Sequence, residues 1–526
     1  MKKNKIISLF GFALAVVICA TGCGHAIVLS NSDVDNNSDL YYNGNEISGI
    51  PLPKDTLKPA EEIPLETKQH ETASETTEVY TTAQTEGDTP TEAPQTPAVP
   101  QTPDVPQTQA SEEKPIETIP ETTAVQTTKA PQNSSDQTAA PPPSSNILPD
   151  DDLPVNSYKA LNYSEMKAVW ISYFELYPIL TGKTKAQFEK GIGEYFDNAK
   201  SLGINTVYVH VRPYGDAIYK SDYFPWSKYC TGYIGENPGF DPLKVMIEQA
   251  HKRNISFHAW INPLRCYQQD DAPQVDDSYL TKQWYNYNDG DYIVKVNSYW
   301  YLNPAYEQVT DLIALGVSEI VSGYDVDGVH IDDYFYPTTE SWFDRTAFNK
   351  SGYTSLSQFR LDNCTRMVST MYNAVKSHNK TVLFGISTQG NVTNNQEVLY
   401  ADVKKWCSEP GYADYMAPQI YYGFENSGQP FSEVVDEWDK MLSGTGKTLV
   451  PGLAVYKIGT EDTWAGSGKY EWINNTEIIK RQIEKSRTAK CYGGIALYSY
   501  QFIFEPSSDV SAAVQKEIAA FKPLLN

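Results

Sequence analysis

From residue 157 onward, short apolar runs alternate with amphipathic stretches. The apolar runs lie at 167–176 (KAVWISYFEL), 205–212 (NTVYVHVR), 255–263 (ISFHAWINP) and 325–333 (DVDGVHIDD). Four more follow at 381–388 (TVLFGIST), 414–422 (DYMAPQIYY), 448–456 (TLVPGLAVY) and 493–500 (GGIALYSY). They are rich in β-branched and aromatic residues, which favour strands. Helical spacing fills the intervals at 185–202, 241–253, 305–324, 355–379, 431–442 and 476–489. Gly203 closes the first of these, and Asp241-Pro242 opens the second. Eight strands separated by helices predict an α/β fold, a (β/α)8 TIM barrel over residues 157–526.

Within a barrel strand every second side chain points inward. Val207, Val209 and Val211 share one parity and should face the helices. Tyr208, His210 and Arg212 share the other. The same reading places Phe257, Ala259 and Ile261 outward, and His258, Trp260 and Asn262 inward. Val329 and Ile331 fall outward, His330 and Asp332 inward, and Gln419 and Tyr421 form the polar parity of the sixth strand. So His210, Arg212, His258, Asn262, His330, Asp332, Gln419 and Tyr421 are expected to meet at the C-terminal mouth, where such barrels carry their chemistry. Three of the seven histidines of the chain fall in this set.

The fourth run ends in Asp332 and Asp333, followed by Tyr334, Phe335, Tyr336 and Pro337. Two carboxylates at a strand end beside aromatic rings are the parts of a glycosidase: one group protonates the departing oxygen, another serves as nucleophile or base. Asp332 is the expected first carboxylate. Asp333 is its partner or orients it, and Glu425 is an alternative partner. Glu175, Asp216 and Glu505 are weaker options at other strand ends. Trp260 and Tyr334 add rings to the substrate-binding set, and Arg212 and Arg265 could pair with a substrate carboxylate. The excursion at 266–301 carries Tyr267, Trp284, Tyr285, Tyr287, Tyr292, Tyr299, Trp300 and Tyr301. The loop after the second strand adds Tyr214, Tyr219, Tyr223, Phe224 and Trp226. Exposed rings of this kind would stack on sugar faces.

Composition separates the rest of the chain. Lys2, Lys3 and Lys5 precede an apolar run at 6–20 that is too short for a comfortable membrane span, so a secretory signal is expected. It closes on Ala20-Thr21-Gly22-Cys23, which resembles a lipoprotein cleavage site; residues 1–23 would be the signal and Cys23 the lipidated residue. Residues 24–156 read as a disordered linker of Thr, Pro, Glu, Gln and Ser, with few large apolar groups to offset ordering entropy. Residues 31–150 hold five Lys, no Arg and 21 Asp or Glu, a net of −16 out of −24 for the chain. The acidity therefore belongs mostly to the tether, whose coil would span on the order of 60 Å. The five cysteines beyond the signal are scattered without CxxC spacing, so neither a disulfide framework nor a Cys-rich zinc site is expected. An acidic chain without a basic patch does not suit nucleic acid.

Several segments taken together resemble the glycosyl-hydrolase-like family 10 of bacterial surface proteins. They are AVWISYFEL, GINTVYVHVRPYGDAIYKSDYFPWS, FDPL, HAWINPLR, YLNPA, VDGVHIDDYFYP, APQIYYG and GGIALYSY, in order across residues 167–502. The resemblance implies a TIM barrel and glycosidase action on bacterial glycans, with peptidoglycan strands as one kind of substrate; no cofactor is expected. It carries over Asp332 and Asp333 as the catalytic pair. The expectation is thus an exported, membrane-anchored glycoside hydrolase on the outer face of the cell membrane, or a secreted one if Cys23 is not lipidated, acting on a cell-wall or related polysaccharide. Two other classes compete. One is a metal-dependent deacetylase using His210, His258 and His330 with Asp332, although no HxxxH or HExxH spacing supports it. The other is a glycan-binding lipoprotein without catalysis.

Overall fold

The structure, a computed structural model, describes residues 153–526 except 288–290. The expected signal, Cys23 and the linker as far as residue 152 lie outside the described residues. The barrel opens with β1 (Met166–Ile171), β2 (Thr206–Arg212) and β3 (Ser256–Ile261). A side sheet follows, made of β4 (Arg265–Gln268), β5 (Ile293–Val296) and β6 (Tyr299–Leu302). The barrel resumes with β7 (Gly328–Ile331), β8 (Leu383–Ile386), β9 (Tyr415–Met416), β10 (Thr448–Leu449), β11 (Gly452–Ala454) and β12 (Gly494–Tyr498).

The large sheet runs β10-β9-β8-β7-β3-β2-β1-β12-β11, every pair parallel. Its two edges are one piece of chain. Residues 448–454 form the seventh strand, which Pro451 splits into β10 and β11. Val450 N–H reaches Met416 O at 2.8 Å on one side, and Ala496 N–H reaches Pro451 O at 3.0 Å on the other. Eight parallel strands thereby close on themselves, the expected (β/α)8 barrel.

Local chemistry explains the elements. The helix Lys185–Leu202 starts where Thr184 Oγ1 accepts Gln187 N–H and Gln187 Oε1 accepts Thr184 N–H at 2.9 Å. It ends at Gly203, whose φ of 95° suits glycine and where a Cβ would stand 2.6 Å from Leu525 O. Asp241 caps Pro242–His251, and Ser355 caps Leu356–His378. Inside the barrel, glycine on one strand makes room for a ring on the next. A Cβ at Gly328 would collide with the His258 imidazole, and one at Gly385 with the Tyr415 ring.

Four features differ from the sequence expectation. The first strand stops at Ile171, because Ser172 and Glu175 form a capping box that starts the helix Tyr173–Leu180. The eighth stops at Tyr498, and a short helix, Tyr500–Phe504, follows. The excursion at 266–301 is no open loop: β4, β6 and β5 form an antiparallel sheet flanked by the helix Leu280–Tyr287. A final helix, Ser511–Leu525, packs against Ile478–Ser486.

Candidate active site

The strand β7 delivers the acidic doublet. Ile331 is its last residue, so Asp332 keeps the inward parity of His330. Asp333 lies beyond the strand, where Phe335 N–H turns back to Asp333 O at 2.9 Å, and alternation no longer sends it outward. Both carboxyl groups are buried at the C-terminal mouth. Trp260 Nε1–H donates to Asp332 Oδ2 at 2.9 Å, and Tyr334 N–H to Asp332 Oδ1 at 3.3 Å. Gln419 Nε2–H donates to Asp333 Oδ1 at 3.2 Å, while Asp333 Oδ2 is buried without a partner.

Burial, and then the neighbouring Asp333, pushes Asp332 well above the usual carboxylate range. Burial lifts Asp333 to about 7, against the pull of Gln419, Gln389 and Arg265. Burial thus favours the protonated form at both carboxyl groups, and each disfavours charge on the other.

The imidazole of His210 lies flat on Trp260, ring centroids 3.3 Å apart. Its Nδ1 accepts Tyr173 N–H at 3.4 Å, so the ring proton sits on Nε2, 4.0 Å from Asp332 Oδ2. Burial, with the charge of Arg265, holds this histidine neutral. Arg265 projects into the same space from β4. Its guanidinium lies 4.1 Å from the Tyr214 ring, 4.6 Å from Tyr334 and 5.6 Å from Tyr299. Nη2 donates to the Tyr214 hydroxyl, and Nη1 is buried without a partner. The buried polar atoms left unpaired around this mouth form one set: His210 Nε2, Asn262 Nδ2, Arg265 Nη1, Asp333 Oδ2, Tyr334 Oη, Ser387 Oγ and Thr388 Oγ1. Such atoms are costly to bury unpaired, so they mark where a polar ligand is received.

His210, Trp260, Asn262, Arg265, Asp332, Asp333, Tyr334 and Gln419 therefore share one region. Other expected members do not join them. Arg212 faces out of the barrel, because a bulge after His210 pairs Arg212 with Ile261 and reverses the alternation. It lies 4.4 Å from the Phe224 ring, and a Cβ on Gly316 of the helix Glu307–Gly323 would meet its Nη1. His258 and His330 point inward but sit deeper, His330 stacked on Tyr208 and His258 tilted against it. Trp170 Nε1–H donates to His330 Nε2 at 3.1 Å, leaving the His330 proton on Nδ1 toward Tyr415 Oη at 3.0 Å. Tyr415 then donates to His258 Nδ1 at 2.9 Å. These two histidines are floor packing, and they do not gather with His210 and Asp332 as a metal ligand set. Among the described residues no cluster of three His, Cys, Asp or Glu has metal-holding geometry.

Tyr421 lines another wall, against Tyr456 and Tyr498. Glu425 is exposed and accepts a hydrogen bond from Asn475 at 3.0 Å, so its loop neighbours, rather than the doublet, hold it. Glu175 is consumed by Ser172, Ser499 and Gln501, and Asp216 by Tyr214 and Ser227. Glu505 is exposed. Most rings of the two aromatic loops are buried too: Tyr267, Trp284, Tyr299, Tyr301, Tyr214, Tyr219 and Phe224. Of those named, Tyr287 is exposed. Other exposed rings belong to loops at the mouth end: Tyr233, Trp342, Tyr353, Trp464 and Tyr470, with Trp464 68% exposed. Gln389 and Tyr173 were missed by sequence reasoning. Gln389 lies just past the fifth expected strand, and Tyr173 was read as strand rather than as the start of a helix.

The chain is similar to several known proteins. The family model described as "Glycosyl hydrolase-like 10" matches residues 165–466. "Glycosyl hydrolase YngK" of Bacillus subtilis (strain 168) is 32% identical over 343 residues. That match covers 61% of this chain and 66% of the relative, just under two thirds of its length. "Glycosyl hydrolase DigH" of Escherichia coli (strain K12) is 31% identical over 354 residues, 62% of this chain and 79% of the relative. Among solved structures, the catalytic domain of β-amylase from Paenibacillus polymyxa aligns with a TM-score of 0.44 at 13% identity, over 68% of this chain and 99% of that one. The endo-1,4-β-mannanase of Rhizomucor miehei aligns with a TM-score of 0.43 at 10% identity, over 70% and 98%.

Proposed function

The chain belongs to the glycosyl hydrolase-like 10 family, and from that premise we propose that it hydrolyses glycosidic bonds of a polysaccharide at the Asp332–Asp333 doublet. The observation that carries this reading is a pair of adjacent buried carboxyl groups at the C-terminal end of a barrel strand, ringed by unpaired polar atoms. Asp332 gives its proton to the departing glycosidic oxygen. The charged Asp333, through Oδ2, meets the anomeric carbon or takes a proton from the water that attacks it. Trp260 holds Asp332 in place, and His210 stacks on Trp260. Asn262, Tyr334, Ser387 and Thr388 supply hydrogen bonds to sugar hydroxyls, and exposed rings such as Trp464 and Trp342 offer stacking faces farther out.

The substrate we propose is a bacterial cell-wall glycan of the peptidoglycan kind. A signal over residues 1–23, lipidation at Cys23 and the acidic linker would carry the barrel outward from the cell membrane. The test is product analysis on a panel of polysaccharides that includes peptidoglycan strands with and without their peptides. New reducing ends from the cell-wall glycans are expected. Binding to those glycans without turnover would instead support the non-catalytic reading. Radiolabelled palmitate retained by the wild type and lost in Cys23→Ala would support the anchor.

A further inference from the structure

A buried guanidinium normally has a carboxylate against it. Arg265 is buried, yet among the described residues no Asp or Glu forms an ion pair with it. Three tyrosine rings hold it by their faces, and its one side-chain hydrogen bond goes to a neutral phenol, Tyr214. Tyr334 links it to the doublet: its ring covers the guanidinium, and its backbone N–H bonds Asp332.

The groups around this space come from several elements. They are His210 on β2, Trp260 on β3, Tyr173 on the helix Tyr173–Leu180, Tyr214 after β2, Tyr299 and Tyr301 on β6, Tyr334 after β7, and Gln389 and Gln419. None of them carries a charge near neutral pH: the histidine is held neutral by burial, and phenols and amides are uncharged. What remains is the cation of Arg265 beside the two carboxyl groups of the doublet, both of which it favours in the charged form. We infer that Arg265 is a positioning residue, the counter-ion that keeps one negative charge on the Asp332–Asp333 pair, held by tyrosine rings in place of a carboxylate of its own. It stands as an alternative to the expectation that Arg265 pairs with a substrate carboxylate. It rests on the doublet being the reacting pair.

The experiment compares wild type, Arg265→Met and Arg265→Lys as full chains. The acid limb of the kcat/KM–pH profile should move up by about one unit in the methionine variant, a tenfold loss on the acid side that recovers at higher pH. The lysine variant should keep the limb near its wild-type place. A limb that stays put, with KM raised only on carboxylated glycans and restored when those carboxylates are chemically reduced, would overturn the inference in favour of substrate reading. A second arm needs no turnover: NMR titration of 13C-carboxyl-labelled aspartate, with the doublet signals identified by Asp332→Asn and Asp333→Asn. The doublet midpoint should rise in Arg265→Met; an unchanged midpoint refutes the counter-ion role even if the chain hydrolyses no glycan. Arg265→Gln replaces the methionine variant if that one does not fold.

Discussion

The strand β7 has a buried aspartate system at each end, and the two differ in how many donors they receive. At the N-terminal end Asp327 is fully saturated. Tyr158 Oη–H and Leu161 N–H reach its Oδ1 at 2.8 and 2.6 Å, and His251 Nε2 and Phe257 N–H its Oδ2 at 2.8 and 2.7 Å. Those donors come from the entry segment, the helix Pro242–His251 and β3, so Asp327 ties the start of the domain across the barrel bottom. At the C-terminal end the doublet has two carboxylates, three donors from neighbouring groups and one bare oxygen. Residue type and burial are the same at both ends. The hydrogen-bond count separates a carboxylate that holds the fold from a pair left able to take and give a proton.

The largest expected effect lies at the unsaturated end. Asp333→Asn should lower glycan hydrolysis by about 10³-fold, within the range for loss of a positioned acid or base. Its stability should move the other way. Because the folded-state value is raised to about 7, the native chain binds a proton between about pH 4 and 7 that the unfolded chain has already released. Stability from this group is therefore lost as pH rises through that window. The asparagine variant escapes that loss, so its melting temperature at pH 8 should equal or exceed that of the wild type. A lower value would contradict the linkage.

Next comes the saturated end. Asp327→Ala strips four donors of their acceptor and should cost about 3 kcal/mol, read as a lower denaturant midpoint, with kcat of the folded fraction within about twofold. A thousandfold loss of kcat would erase the contrast between the two ends. Smaller still is Arg212→Met. Since Arg212 faces the helix layer, KM should stay within about twofold, and a well-packed methionine should leave stability near that of the wild type. The smallest effect is expected from Trp464→Ala, about a threefold rise in KM on long chains with no change in melting temperature, since the ring lies largely in solvent.

Much of this arrangement was legible in the sequence because parallel barrel strands are buried on both faces and repeat with period two. The helix 185–202 was legible from its spacing and its Gly203 stop, and the helix 431–442 from spacing alone. Asp332 was legible from its shared parity with His330, and Asp333 from its place just past the strand. What alternation cannot express is height along the barrel axis. His258 and His330 have the inward parity of Asp332 but lie a layer lower, bonded to Tyr415. Nor can it foresee a bulge: one extra residue after His210 turned Arg212 outward. The capping box Ser172-x-x-Glu175 was present in the sequence and would have ended the first strand at the right place. The burial of the aromatic excursion was not legible, since nothing in a run of tyrosines states whether it folds back into its own sheet. The saturation of Asp327 depends on Tyr158 and Leu161, far away in sequence, and only the fold reveals it.

The most direct test is the release of reducing ends from purified glycan strands by wild type, Asp332→Asn and Asp333→Asn, each shown to be folded by circular dichroism. The account predicts turnover by the wild type and a loss of at least about 100-fold in both variants. Equal release by all three would place the chemistry elsewhere in the chain.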